Sequence, residues 1–217
     1  MNSIVLRLKR HYLPLIILSL FSATILFLIW NTRDTLTFVA DSTGYISLLL
    51  LAVALVIGSI NLALKRNNPI STYLRRDLGI YGGLLAIIHS ITGLFVHLRG
   101  NMWQYFFVKT ELGYAIRLDD FGIANYTGLI SAFLILLLLV TSNDYSIRKL
   151  NPVKWKNLQR LTYLMFAIAL LHSVYYRLVG NDLNRIYYLY LPLLSIILIF
   201  QFIGVRLKTR NKQIISN

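Results

Sequence analysis

Leu85-Ala86-Ile87-Ile88-His89-Ser90 and Ala169-Leu170-Leu171-His172-Ser173 each set one histidine inside an apolar, helix-length run. An imidazole in hydrocarbon is costly unless something coordinates or hydrogen-bonds it. An ionisable residue at membrane depth is therefore a candidate site. A membrane-spanning helix needs about 20 mostly apolar residues. Six stretches qualify, at about 13–30, 45–64, 78–98, 122–141, 158–176 and 186–205. His89 falls in the third and His172 in the fifth.

Composition agrees. Of the 217 residues, 57% are hydrophobic and 14% charged, and the mean hydropathy is +0.63. Soluble domains stop at about 45–50% apolar residues even with glycine counted. No polar stretch is long enough for a soluble catalytic domain, so the reading is one all-α, polytopic membrane domain over 1–217, a bundle of six helices. Cysteine is absent. That excludes disulfides, thiolate catalysis, thiolate-bound haem and cysteine-held iron–sulfur clusters. The first apolar run lacks a small-residue cleavage site and reads as a retained anchor.

Charge gives the orientation. The N-terminus holds Arg7, Lys9 and Arg10; the second connection holds Lys65, Arg66, Arg75 and Arg76. The fourth holds Arg148, Lys149, Lys154, Lys156 and Arg160, and the C-terminus Arg206, Lys208, Arg210 and Lys212. These segments carry 16 of the 22 basic residues and only two acids, Asp77 and Asp144. The other connections balance to zero. Basic loops stay cytoplasmic, so both termini are expected inside. The net charge of +14 then reports topology and affinity for an anionic bilayer, with no nucleic-acid partner.

The third and fifth helices both run outward. At 1.5 Å per residue, His89 lies roughly 17 Å and His172 roughly 20 Å along their spans. Two imidazoles at one depth on two helices have the arrangement that holds one haem iron from both faces. Either histidine alone is explained as well by a hydrogen bond to a carbonyl or a serine on a neighbouring helix.

His97 follows His89 by eight residues. A continuous helix would turn it roughly 80° away and place it at the outer interface. There it either rests in the interface or touches a haem propionate, a second group or a quinone. Arg75 and Arg76 open the third span as a positive-inside anchor or as contacts for an anionic group, a flavin phosphate or a propionate. Gly82, Gly83, Ala86 and Gly93 flank His89 and admit a flat ligand or a close helix. His11 reads as a surface residue. The outer loop from Arg99 to Phe121 holds Trp103, Tyr105, Phe106, Phe107 and Tyr114, an aromatic belt or a docking surface. Asn151-Pro152 marks a turn. No internal repeat is evident.

Two stretches carry a family resemblance. Arg75-Arg76-Asp77-Leu78-Gly79 followed by His89, and Trp155-Lys156-Asn157-Leu158-Gln159-Arg160-Leu161-Thr162-Tyr163 followed by His172, resemble the third and fifth helices of the ferric-reductase-like transmembrane domain. The nearest branch is the haem-containing membrane subunit of the periplasmic methionine-sulfoxide reductase system. The resemblance covers roughly 10–207. It implies haem b on the third and fifth helices. It also implies electrons taken from a quinol or a cytoplasmic flavin reductase, with FMN or a quinone as a further cofactor, and passed to a periplasmic or extracellular redox partner. The family pattern Trp-x-x-Leu-His is broken here by Gln159 where the last His belongs. One haem, on the outer side, is therefore expected.

The expectation is a bacterial inner- or plasma-membrane cytochrome b, with His89 and His172 as iron ligands and His97, Arg75 and Arg76 as further cofactor contacts. It would be an electron-transfer component rather than a complete enzyme. One rival is direct reduction of an extracellular acceptor, ferric iron or oxygen. Another is a cofactor-free transporter or scaffold, which usually shows paired broken helices or midplane charges.

Overall fold

The computed structural model describes residues 3–30, 34–65, 69–98 and 101–216. Arg66 and Arg99 lie outside the described residues, as do the side chains of Arg210 and Lys212. Helix α1 runs Val5–Trp30, α2 Thr35–Ala63, α4 Asp120–Thr141, α5 Pro152–Val179 and α6 Leu183–Thr209. These five are long and apolar enough to cross a membrane. Helix α3, Pro69–Gly93, has comparable length at 25 residues. It is less apolar because Arg75, Arg76, Asp77 and His89 interrupt it.

Backbone groups in hydrocarbon have to bond internally, which favours helix throughout. Sequence-local caps set several ends. Asp34 accepts from the Thr37 N–H at the start of α2, and Asp119 from the Gly122 N–H at the start of α4. Asn151 accepts from Val153 and Lys154 and precedes Pro152 in the first turn of α5, so the expected turn is there. Helix α2 therefore starts ten residues before the apolar run at 45, because its cap, and not hydropathy, decides where it begins.

The core is built on α2. Leu51, Ala52 and Leu55 are at most 3% exposed. They pack with Ile135, Leu138, Met165, Phe166 and Ile197 from α4, α5 and α6. The closest pairings are α2 with α3 and α4 with α5. Helix α1 is peripheral: its Leu20, Phe21 and Leu28 are over 60% exposed, an apolar face suited to lipid.

The third helix stops at Gly93, five residues short of the expected Leu98. The buried Tyr105 takes over there. Its hydroxyl donates to the Gly93 carbonyl (3.2 Å) and accepts from the N–H groups of His97 (3.1 Å) and Leu98 (3.3 Å). The aromatic outer segment is not only a belt but contains a hairpin. Strand β1, Phe107–Thr110, pairs antiparallel with β2, Gly113–Ile116, and Gly113 supplies a positive φ at the turn. Trp103 packs on Tyr114, ring centroids 4.1 Å apart, and on Phe107 at 5.9 Å.

Candidate functional site

His89 projects from α3 and His172 from α5 into one cavity of about 480 Å³ between α2, α3, α4 and α5. Both are half-buried. Their ring centroids are 5.9 Å apart and their planes 72° apart.

Each ring is held the same way. His89 Nδ1 lies 2.7 Å from the Ala40 carbonyl of α2, and His172 Nδ1 lies 2.8 Å from the Ala124 carbonyl of α4. A carbonyl only accepts, so each Nδ1 carries the proton and each Nε2 keeps its lone pair. That is the usual tautomer of a metal-bound histidine whose second nitrogen is fixed by a carbonyl. One turn on, each partner helix has a glycine. A Cβ at Gly44 would meet His89 Nδ1 at 2.7 Å, and one at Gly128 would meet His172 Nδ1 at 2.7 Å.

The two seats are one motif used twice. Ala40-Asp41-Ser42-Thr43-Gly44-Tyr45-Ile46-Ser47 and Ala124-Asn125-Tyr126-Thr127-Gly128-Leu129-Ile130-Ser131 share Ala, Thr, Gly, Ile and Ser in register. Thr43 and Thr127 each donate back to the carbonyl four residues earlier. Ser90 and Ser173, each next to a histidine, donate to Ala86 and Ala169. An internal repeat is therefore present, contrary to the reading of the sequence. It escapes notice because it comprises two helix pairs about 84 residues apart with little else in common. The signal was the Ala-x-x-x-Gly spacing, which marks close helix approach.

Leu55, Leu138 and Phe166 do not line the cavity but pack in the core cluster. Gly82 faces Leu50 and Leu51, and Gly83 faces Leu139, so these two glycines serve helix packing, not a ligand. Gln159 is engaged in holding α4: its Nε2 donates to Thr141 Oγ1 at 3.2 Å, while Trp155 Nε1 donates to the Thr141 carbonyl at 2.8 Å.

His97 does line the cavity, but not by helical rotation, since α3 has ended. Its ring stacks on Tyr176 (6.0 Å) and meets Phe121 edge-on (5.7 Å). Burial of the ring against these aromatics lowers its pKa below the ordinary histidine value, with Asp41 opposing. Arg75 and Arg76 are not among the cavity's lining residues. They sit at the opposite end of α3, where Arg76 donates to the Ser142 carbonyl and Asp144. That guanidinium holds the Asp144 carboxyl below its usual pKa. His11 is not a surface residue: it bonds Asp77, which is fully buried and also accepts from Arg7 and Tyr12.

The residues fit a haem. An iron between two facing imidazoles, each bond about 2 Å as for other first-row metals on histidine, separates the ring centroids by roughly 6 Å. Among the described residues no group of three or more His, Asp or Glu stands together for a bare ion, whereas a porphyrin supplies four further nitrogens.

The family model described as "Ferric reductase like transmembrane component" matches residues 43–170. The chain belongs to this family. A ferric-reductase-like transmembrane component is an integral membrane protein, and membership points to electron transfer within the bilayer. The matched stretch contains Gly44, His89 and Gly128 and ends two residues before His172.

Proposed function

We propose that this ferric-reductase-like protein is a b-type cytochrome of a bacterial inner or plasma membrane, with His89 and His172 as axial ligands of a single haem near the outer face. The observation that carries the reading is the pair of imidazoles with ring centroids 5.9 Å apart, each with its Nδ1 on a backbone carbonyl and its Nε2 left to a metal. With haem bound, the iron changes by one electron and has no open coordination position, which suits transfer and not oxygen binding.

The chain's own residues do the rest. The Ala40 and Ala124 carbonyls fix the imidazole tautomer. The apolar wall excludes water, and the packing of Leu55, Leu138 and Phe166 in the core supports a single macrocycle. Helix α3 is the sixth span, the whole of 1–217 acts as one domain, and both termini face the cytoplasm, as the basic loops require. The donor is a quinol or a cytoplasmic flavin reductase, and the acceptor is a redox partner on the outer side. The branch that passes electrons to a periplasmic methionine-sulfoxide reductase is the nearest model for this relay.

Purified protein is expected to show a b-type spectrum and one haem by pyridine haemochrome. His89→Ala and His172→Ala should each lose most of it. Unchanged haem in either variant removes the ligand assignment. A second reading, direct reduction of an external acceptor, is favoured by an outer pocket of about 420 Å³ beside His97, Arg117 and Phe121. Liposomes loaded with reductant separate the two, since only direct reduction proceeds without a partner protein.

A further inference from the structure

Arg177 lies five residues after His172, further toward the outer end of α5, and lines the histidine cavity. Among the described residues it is the one Lys or Arg that lines the cavity, and Asp41 is the one Asp or Glu. The Arg177 Nε is buried with no hydrogen-bond partner. Its guanidinium rests over the Tyr45 ring at 5.5 Å and reaches the Tyr190 hydroxyl. Its nearest carboxylates, Asp182 at 3.7 Å and Asp41 at 4.0 Å, are both beyond hydrogen-bond reach. A guanidinium presents five donors in a planar fork that matches a carboxylate. A buried donor left unmade is costly, so although both carboxylates stand at ion-pair distance the guanidinium keeps an Nε–H suited to a closer acceptor.

The surroundings define that anion's carrier. Much of the cavity wall is apolar, with Leu48, Leu51, Ile135 and Ala169 among its residues. A ligand that fills it is apolar over most of its body and anionic at one edge. The repeat adds direction. Counting from each histidine, Tyr176 and Arg177 correspond to Gly93 and Leu94. One half of a nearly symmetric cavity therefore carries a guanidinium where the other carries an apolar side chain.

We propose that Arg177 binds a carboxylate side chain of the porphyrin, and so sets which edge of the macrocycle faces the outer side. Haem b carries two propionates at one edge and apolar groups elsewhere, which matches this division. The proposal rests on the bis-histidine reading above.

The test compares haem with its dimethyl ester, which keeps the macrocycle and removes the charge. Protein expressed without haem is titrated with each. Wild type is expected to prefer the free acid by roughly tenfold or more, the usual weight of a charge-assisted bond. Arg177→Gln should bind both alike, and Arg177→Lys should keep part of the preference. In Arg177→Gln the midpoint potential should also fall, because an uncompensated carboxylate favours ferric iron, whereas Asp41→Asn should raise it. Equal binding of acid and ester by wild type overturns the proposal even if Arg177→Gln fails to insert. A wild type that binds neither porphyrin overturns the bis-histidine reading and this inference with it. A wild type that binds both equally, with His172→Ala binding neither, leaves the first standing and removes only the second.

Discussion

The α2–α3 and α4–α5 pairs perform the same task with the same parts. Each sets a histidine on one helix against an Ala-x-x-x-Gly seat on the other, and the two Nδ1–carbonyl distances differ by only 0.1 Å. The pairs part company one turn further out. There α5 has Tyr176, bonded to Asn125, and Arg177, where α3 has ended at Gly93. Equivalent seats hold the two imidazoles alike; the unequal ends beyond them give the cavity a polarity. A symmetric grip and an asymmetric mouth thus share one pair of helix seats.

The largest expected effect tests the equivalence of the seats. Gly44→Ala and Gly128→Ala each force a Cβ to 2.7 Å from an imidazole Nδ1. Each should lower haem affinity roughly tenfold or more, as losing the partner of a metal-bound histidine does. Haem titration measures this, and the low-spin EPR signal, sensitive to the angle between the rings, should shift in both. An effect in one variant and none in the other breaks the symmetry. A smaller effect sharpens the difference at the mouth. His97 titrates below its ordinary value because burial disfavours the imidazolium. The packed, neutral form is then fully favoured above pH about 6.5, and its contribution fades as pH falls through the lowered folded value. Histidine NMR in nanodiscs should find that midpoint below 6.5. A value at or above 6.5 means the ring does not pack on Tyr176 and Phe121. The smallest effect is at the inner half, where none is expected. Gln159→His supplies the histidine that the resemblance leads one to expect, yet Leu55, Leu138 and Phe166 are packed in the core cluster. Haem per protein should stay at one; two would show that the inner core opens.

Much of this was legible beforehand for a physical reason. Residues that face lipid have to be apolar, so the helices at 13–30 and 122–141 show themselves in hydropathy alone. His89 and His172 stand out because nothing else near them is polar. His11 was misplaced, and His97 reaches the cavity without the helix that was expected to carry it, for the converse reason: neither lies in the middle of a regular span. There the backbone's course depends on distant partners, the Tyr105 hydroxyl in one case and buried Asp77 in the other. Arg75 and Arg76 were read as an anchor or as cofactor contacts; their distance from the cavity follows from where α3 packs, which their neighbours in sequence do not reveal.

By itself the sequence determined that the chain is helical and apolar, because the bilayer acts on each segment independently of the others. It also determined which two side chains were worth explaining. Only the tertiary structure decided that their rings face each other 5.9 Å apart, that a repeated glycine seat holds each one, and that one buried guanidinium overlooks the space between them. Those are relations between helices dozens of residues apart, set by which small residues let two backbones approach, and no local pattern encodes them.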